Sequence, residues 1–323
     1  MAQRSPYVLC ILSKSYSNKF IEATSGQVLF GGVDTKQYTG DLISVQIYPD
    51  EAGGNITSFT VAWTSLSASS SSGTDQLTSS DFAEPAILDS GTTITLLPDT
   101  IATQLFAELG ATNDERLGAV VVPCALADKN GTINYGFGGV GGPTIKVQVS
   151  QLVLPLSSEN GQTPTYSNGE AACQLGIQAA GSDPTLFGDT FLRSAYVVYD
   201  IANNRIALAQ TDFNSTDTNI VPFPSSGAAI PSATSAPNEA AVTQTATGIP
   251  RVGGSATATG SGVATYNPTA NGLSAASGFT STSTSTKKSA AGSGPAPFEW
   301  ARVFIAGVCL VGAGMGGALF TLL

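Results

Sequence analysis

Apolar residues in the first two hundred positions fall in short runs rich in β-branched and aromatic side chains, broken by Gly, Asn, Asp and Ser. Such runs predict strands at Gln27–Phe30, Leu42–Tyr48, Ser58–Trp63, Ala86–Leu88, Ala119–Val122, Thr144–Val149 and Ala195–Tyr199. A further run, Tyr7–Leu12, reads as a strand with Cys10 buried in it. Only one segment has a clear helical period. From Pro98 to Leu109, Ile101, Leu105, Phe106 and Leu109 fall on one side, Pro98 and Asp99 stand at the start, and Gly110 stops the helix. Many strands and few helices predict a mostly-β domain over residues 1–213.

The pattern then disappears. From about Val221 to Pro297 the chain is Ser, Thr, Ala, Gly and Pro with almost no large apolar residue, as in Ser281–Thr286. Such a stretch buries too little surface to offset its ordering entropy, so residues 214–297 are expected to be a disordered stalk, either a plain linker or a glycosylated one.

Residues 298–323 form the C-terminal tail. Its last 21 residues, Val303–Leu323, are apolar or small and carry no charge. Small residues at Ala290–Gly294, a spacer of eight from Pro295 to Arg302 and this apolar tail make up the signal for a glycosylphosphatidylinositol (GPI) anchor. Gly292 is the expected attachment residue, followed by Ser293 and Gly294. A membrane-spanning tail is the alternative, with Gly312 and Gly316 as a packing face. The start of the chain does not match this end. Met1–Ser13 has one charge, Arg4, and no small-residue cleavage site after it, so the expectation is an incomplete N-terminus.

Composition narrows the chemistry. Net charge is −10, and all of that excess lies before Val221, since the rest carries +2. Phosphate-backbone binding needs a basic face, so nucleic acid is not an expected partner. The chain has no histidine, which removes Ser-His-Asp and Cys-His catalysis and His-ligated metal sites within it. Carboxylates, hydroxyls and backbone remain. Cys124 and Cys173 have no C-x-x-C neighbour, so a disulfide closing a long loop suits them better than a metal site. Sequons at Asn55, Asn130 and Asn214 agree with an oxidising, glycosylating compartment.

The candidate catalytic motif is Ala86-Ile-Leu-Asp89-Ser-Gly-Thr-Thr93. A carboxylate at the tip of a tight turn, with Gly91 admitting close backbone approach and hydroxyls on both sides, can be held in one orientation. Farther on lies Thr185-Leu-Phe-Gly188-Asp-Thr-Phe-Leu-Arg193, and after it Ala195–Asp200 and Arg205–Ala209. Upstream stands Gly26–Leu42.

Taken in this order, these segments resemble the second lobe of the pepsin-family aspartic proteases: lobe handover, aspartate loop, leading Pro98 helix, and the closing segment that passes an apolar pair and Gly beside the loop. The stalk and tail narrow the resemblance to the yapsin-like, surface-anchored proteases of fungi.

The resemblance implies one lobe of the bilobal acid-protease fold, with Cys124 and Cys173 as the second-lobe disulfide. It makes Asp89 one of two catalytic aspartates. Thr92 would steady its outer oxygen, Ser90 would lie in the grip between the two loops, and Thr93 would face substrate. The family's chemistry uses two carboxylates sharing a proton and an activated water, with no metal or cofactor, on protein or peptide substrates. No Asp-Thr-Gly is present, however. Asp34 is followed by Thr35-Lys36 and reads as an ordinary strand-end residue. The expected function is therefore that of a surface-anchored aspartic endopeptidase to which this chain supplies one aspartate. The alternatives are an inactive glycosylated surface protein, or a homodimer with Asp89 from each copy, joined through an exposed apolar interlobe face.

Overall fold

The computed structural model describes residues 8–14, 25–49, 54–115, 118–156, 163–242 and 274–279. Gly292, the tail and the rest of the expected stalk lie outside these residues, as do Met1–Tyr7. The strand Val8–Lys14 contains the backbone of Cys10; that residue's side chain is outside the described set.

Strands dominate, and two sheets carry the architecture. One has the order 25–30, 8–14, 195–200, 205–211, 38–46 and 233–235, antiparallel except at its last pair. The other runs 144–148, 131–137, 60–70, 84–88, 186–187, 95–97 and 177–179, with 73–76 paired to 60–70. Between them lies the main core, in which Trp63, Tyr135, Phe137, Phe187 and Phe191 are fully buried. Their rings meet edge-on, with Trp63–Phe187 centroids 5.4 Å apart and Tyr135–Phe191 centroids 5.3 Å apart. Edge-to-face contact is the arrangement that ring quadrupoles favour.

The predicted strands are present with shifted ends. The largest shift is in Thr60–Ser70, which runs on through a stretch of Ser and Ala. There the sheet is stitched by polar side chains: the Asn134 amide donates to the Ser67 and Ser69 hydroxyls at 3.1 and 3.0 Å. Its partner Gly131–Phe137 carries too much Gly, Thr and Asn to be read as a strand from sequence. The helix forms as expected over Asp99–Leu109, with Pro98 just outside it and Gly110 in the left-handed region at φ 64°. Gly suits that position because it has no Cβ penalty there. Its buried side includes Ile101, Leu105 and Leu109, together with Ala102 and the carboxyl-bearing Glu108. Phe106 packs only in part against the core.

The stretch after residue 213 corrects the compositional boundary. Ile220–Pro222 pairs with Gly32–Asp34, and Ala233–Ser235 adds a parallel strand to the edge at Leu42–Ser44. The Glu239 carboxylate accepts from the Gln46 amide and from Arg205 Nη2, the latter at 2.9 Å. Composition points to a stalk from 214 because so few residues there are apolar. An open sheet edge supplies backbone hydrogen bonds to almost any sequence, and Ile230 and Ala236 are sufficient anchors.

Asp34 ends its strand as expected, 4% exposed. Its Oδ1 accepts from the amides of Lys36 at 3.1 Å and Asn219 at 2.8 Å, so it ties the 214–222 stretch to the domain.

Candidate active site

Asp89 follows directly on the strand Glu84–Leu88. Parallel pairing of that strand with Leu186–Phe187 places the loop over the aromatic core, and the Asp89 amide donates to the Phe187 carbonyl at 3.1 Å. The chain then turns: the Thr92 amide reaches back to the Asp89 carbonyl at 3.3 Å. Both carboxylate oxygens have a local donor. The Gly91 amide donates to Oδ1 at 2.9 Å and the Thr92 hydroxyl to Oδ2 at 2.6 Å. Short bonds to a carboxylate are among the stronger ones.

Asp89 itself is half-buried, whereas Ser90, Gly91 and Thr93 are exposed. The carboxylate is thus fixed from its own loop and open to solvent, which is the geometry a general base needs. Thr92 is the residue whose side chain holds Oδ2. The Thr93 side chain is exposed, while its carbonyl accepts from the Thr190 amide at 3.2 Å.

A second segment clamps the loop from below. The amide of Asp189 donates to the Thr92 carbonyl at 2.8 Å, and Thr190 Oγ1 lies 3.1 Å from Thr95 Oγ1 and 2.7 Å from the Gly176 carbonyl. Thr95–Leu97 in turn pairs in parallel with Ile177–Ala179. The loop is therefore held by sheet pairing on its entry and exit and by hydrogen bonds from Asp189 and Thr190 on its underside.

Sequence reasoning located Gly188 beside this loop but passed over two charges that accompany it. Burial raises the Asp189 carboxyl above its ordinary value, Arg193 opposes the rise, and Asp89 adds to it. Arg193 is 8% exposed, and its Nε and Nη1 have no hydrogen-bond partner among the described residues. Burial lowers its guanidinium and Asp189 offsets part of that. The only sequence signal for this pair was a charged residue at each end of an apolar turn.

The other predicted residues lie elsewhere. Cys124 and Cys173 are joined by a disulfide across 49 positions, with Cα atoms 5.0 Å apart. Asn55, Asn130 and Asn214 are each exposed. No second loop of the Asp89 form occurs among the described residues.

Comparisons with known proteins bear on the family. A family model described as eukaryotic aspartyl protease matches residues 10–211. A probable aspartic-type endopeptidase, opsB, of Aspergillus oryzae is 40% identical over 217 residues, covering 67% of this chain and 42% of that protein. Aspartic proteinase 3 of Saccharomyces cerevisiae is 37% identical over 220 residues, covering 67% of this chain and 35% of that protein. The chain thus spans less than half the length of either relative. A crystal structure of an aspartic proteinase from Irpex lacteus aligns with a TM-score of 0.46 at 23% identity, over 66% of this chain and 58% of that one. With its aspartate loop, its clamp and a family match running from the first sheet to the last long strand, the chain belongs to the eukaryotic aspartyl protease family.

Proposed function

We propose that this chain is the second lobe of an aspartic-type endopeptidase and that Asp89 is one carboxylate of its catalytic pair. The observation that carries the reading is the double grip on Asp89, Gly91 N–H on one oxygen and the Thr92 hydroxyl on the other. A carboxylate so held accepts a proton from a water poised on the peptide carbonyl, and a second carboxyl donates to the carbonyl oxygen. One aspartate cannot do both, so the second comes from another lobe or another copy. Substrates are peptide bonds in protein or peptide chains.

The test is acid-dependent, pepstatin-sensitive proteolysis by this chain alone and after mixing with the first half of a relative. Activity in the mixture that is lost in Asp89→Ala is the expected result. Proteolysis that survives Asp89→Ala sinks the assignment.

A homodimer is the second reading, favoured by one feature. The strand Ser25–Phe30 lies at a sheet edge with Val28 55% and Phe30 67% exposed. Two such edges can meet, and a dimer of this chain would carry one Asp89 from each copy. In that case activity of the pure chain rises more steeply than linearly with concentration; strict proportionality excludes it.

The disulfide and the exposed sequons support passage through the secretory pathway. We place the protein at the cell surface, GPI-anchored through Gly292. Release from cells by a phosphatidylinositol-specific phospholipase C checks this, and resistance to that enzyme points to a spanning tail instead.

A further inference from the structure

Six residues from the Ser/Thr/Gly/Ala-rich stretch, Ser274–Phe279, lie on the domain far from the Asp89 loop in sequence and bonding. Phe279 is 2% exposed and belongs to the main core, and Ala275 is fully buried. Position 131 must be Gly here, because a methyl group would overlap the Phe279 ring. Ala275 is bonded through both of its backbone groups. The Ala275 amide donates to Asp75 Oδ2 at 2.7 Å, and the Ser70 hydroxyl donates to the Ala275 carbonyl at 2.8 Å.

Beneath the segment sits a carboxyl that catalysis does not use. Glu108, near the end of the helix Asp99–Leu109, is 0% exposed. It faces the Asp75 carboxyl and the Ala276 amide, and neither contact reaches full hydrogen-bond geometry. The helix that carries it packs on 177–179 and 274–279, neither of which contains an ionisable residue. Among the described residues Asp75 is the charged group that acts on Glu108.

We propose that Ser274–Phe279 is an acid-closed clasp, fastening the C-terminal stretch to the domain over the Asp75–Glu108 carboxyl pair and releasing it towards neutral pH. Closure takes Glu108 out of water beside a like charge, so the closed state holds a proton that the open state gives up. Burial, then Asp75, push the Glu108 carboxyl up to about 7, with the Ala276 amide opposing. The stabilisation of the closed state is thus fully present below the ordinary carboxylate range and is lost as pH rises through about 7.

Amide hydrogen exchange on the full chain, corrected for the intrinsic pH dependence of exchange, tests the clasp. On going from acid to mildly alkaline pH, Ala275–Phe279 should lose about tenfold or more of their protection, the effect of one pH unit of linkage. The strand Glu84–Leu88, outside the clasp, should lose less than this segment. Glu108→Gln should stay protected at both pH values, and Phe279→Ala should be open at both. Asp75→Asn, which removes the like charge, should shrink the pH-dependent loss and serves if Glu108→Gln does not fold. Equal protection of the wild-type segment at the two pH values overturns the proposal. So does an undiminished pH-dependent loss in Glu108→Gln or Asp75→Asn.

Discussion

Gly188 lies so close under Thr92 that a methyl group at position 188 would overlap the Thr92 carbonyl oxygen, and that of Ile94 as well. Neither oxygen is the free end of a side chain, so neither can swing away. Gly188→Ala should push the aspartate loop off its clamp and lower stability by about 1–3 kcal/mol, the usual effect of overpacking. Gly91→Ala differs. Its methyl would stand 3.2 Å from Asp89 Oδ1, a tight approach to a side chain on an exposed turn. That variant should keep its melting temperature and lose proteolysis in the complementation assay. Equal melting temperatures for wild type and Gly188→Ala would mean that the clamp is looser than its geometry.

Asp189 sets a pH dependence of stability. Its carboxyl is raised, chiefly by burial, so the folded state favours the protonated form. That stabilisation is present below the ordinary carboxylate range and fades as pH rises through the raised value. Asp189→Asn should flatten the stability profile between acid and neutral pH. At acid pH, where the wild-type carboxyl is protonated, Asp189→Asn should match wild type, and towards neutral pH it should be the more stable of the two because it has no charge to desolvate. Denaturant unfolding at several pH values checks this, and a profile whose slope is unchanged rules out the assignment to Asp189.

The disulfide should contribute measurably. A loop closed across 49 positions corresponds to about 4 kcal/mol in the chain-entropy model, before any native-state relaxation. Cys124→Ser with Cys173→Ser should therefore unfold at clearly lower denaturant concentration than wild type, and reductant should bring wild type close to the double variant. A reductant-insensitive midpoint would show that the bond contributes little.

How far the sequence disclosed this structure depends on what each segment relies on. The helix Asp99–Leu109 was legible because its stop, Gly110, and its apolar period are local properties. The Asp89 turn was legible for the same reason, as a short motif with its own donors. Gly131–Phe137 was not, since its strand character comes from Thr60–Ser70 and Thr144–Gln148 on either side. The 220–242 stretch was hidden in a similar way: it borrows hydrogen bonds from strand edges formed by residues far earlier in the chain. Glu108 reads as one more polar residue on a helix, yet it is buried, with the Asp75 carboxyl and the Ala276 amide beside it.

That return has a consequence for proteolytic nicking. The chain is gripped at Ala233–Ser235 and Glu239 on one side of residues 243–273 and at Ser274–Phe279 on the other. A cut between the two grips divides the polypeptide without parting the pieces. We predict two fragments on a denaturing gel and one species by native size exclusion at acid pH; two native species at acid pH would refute this. A chain nicked there would stay in one piece, and the parting of its fragments would become a matter of acidity as much as of cleavage.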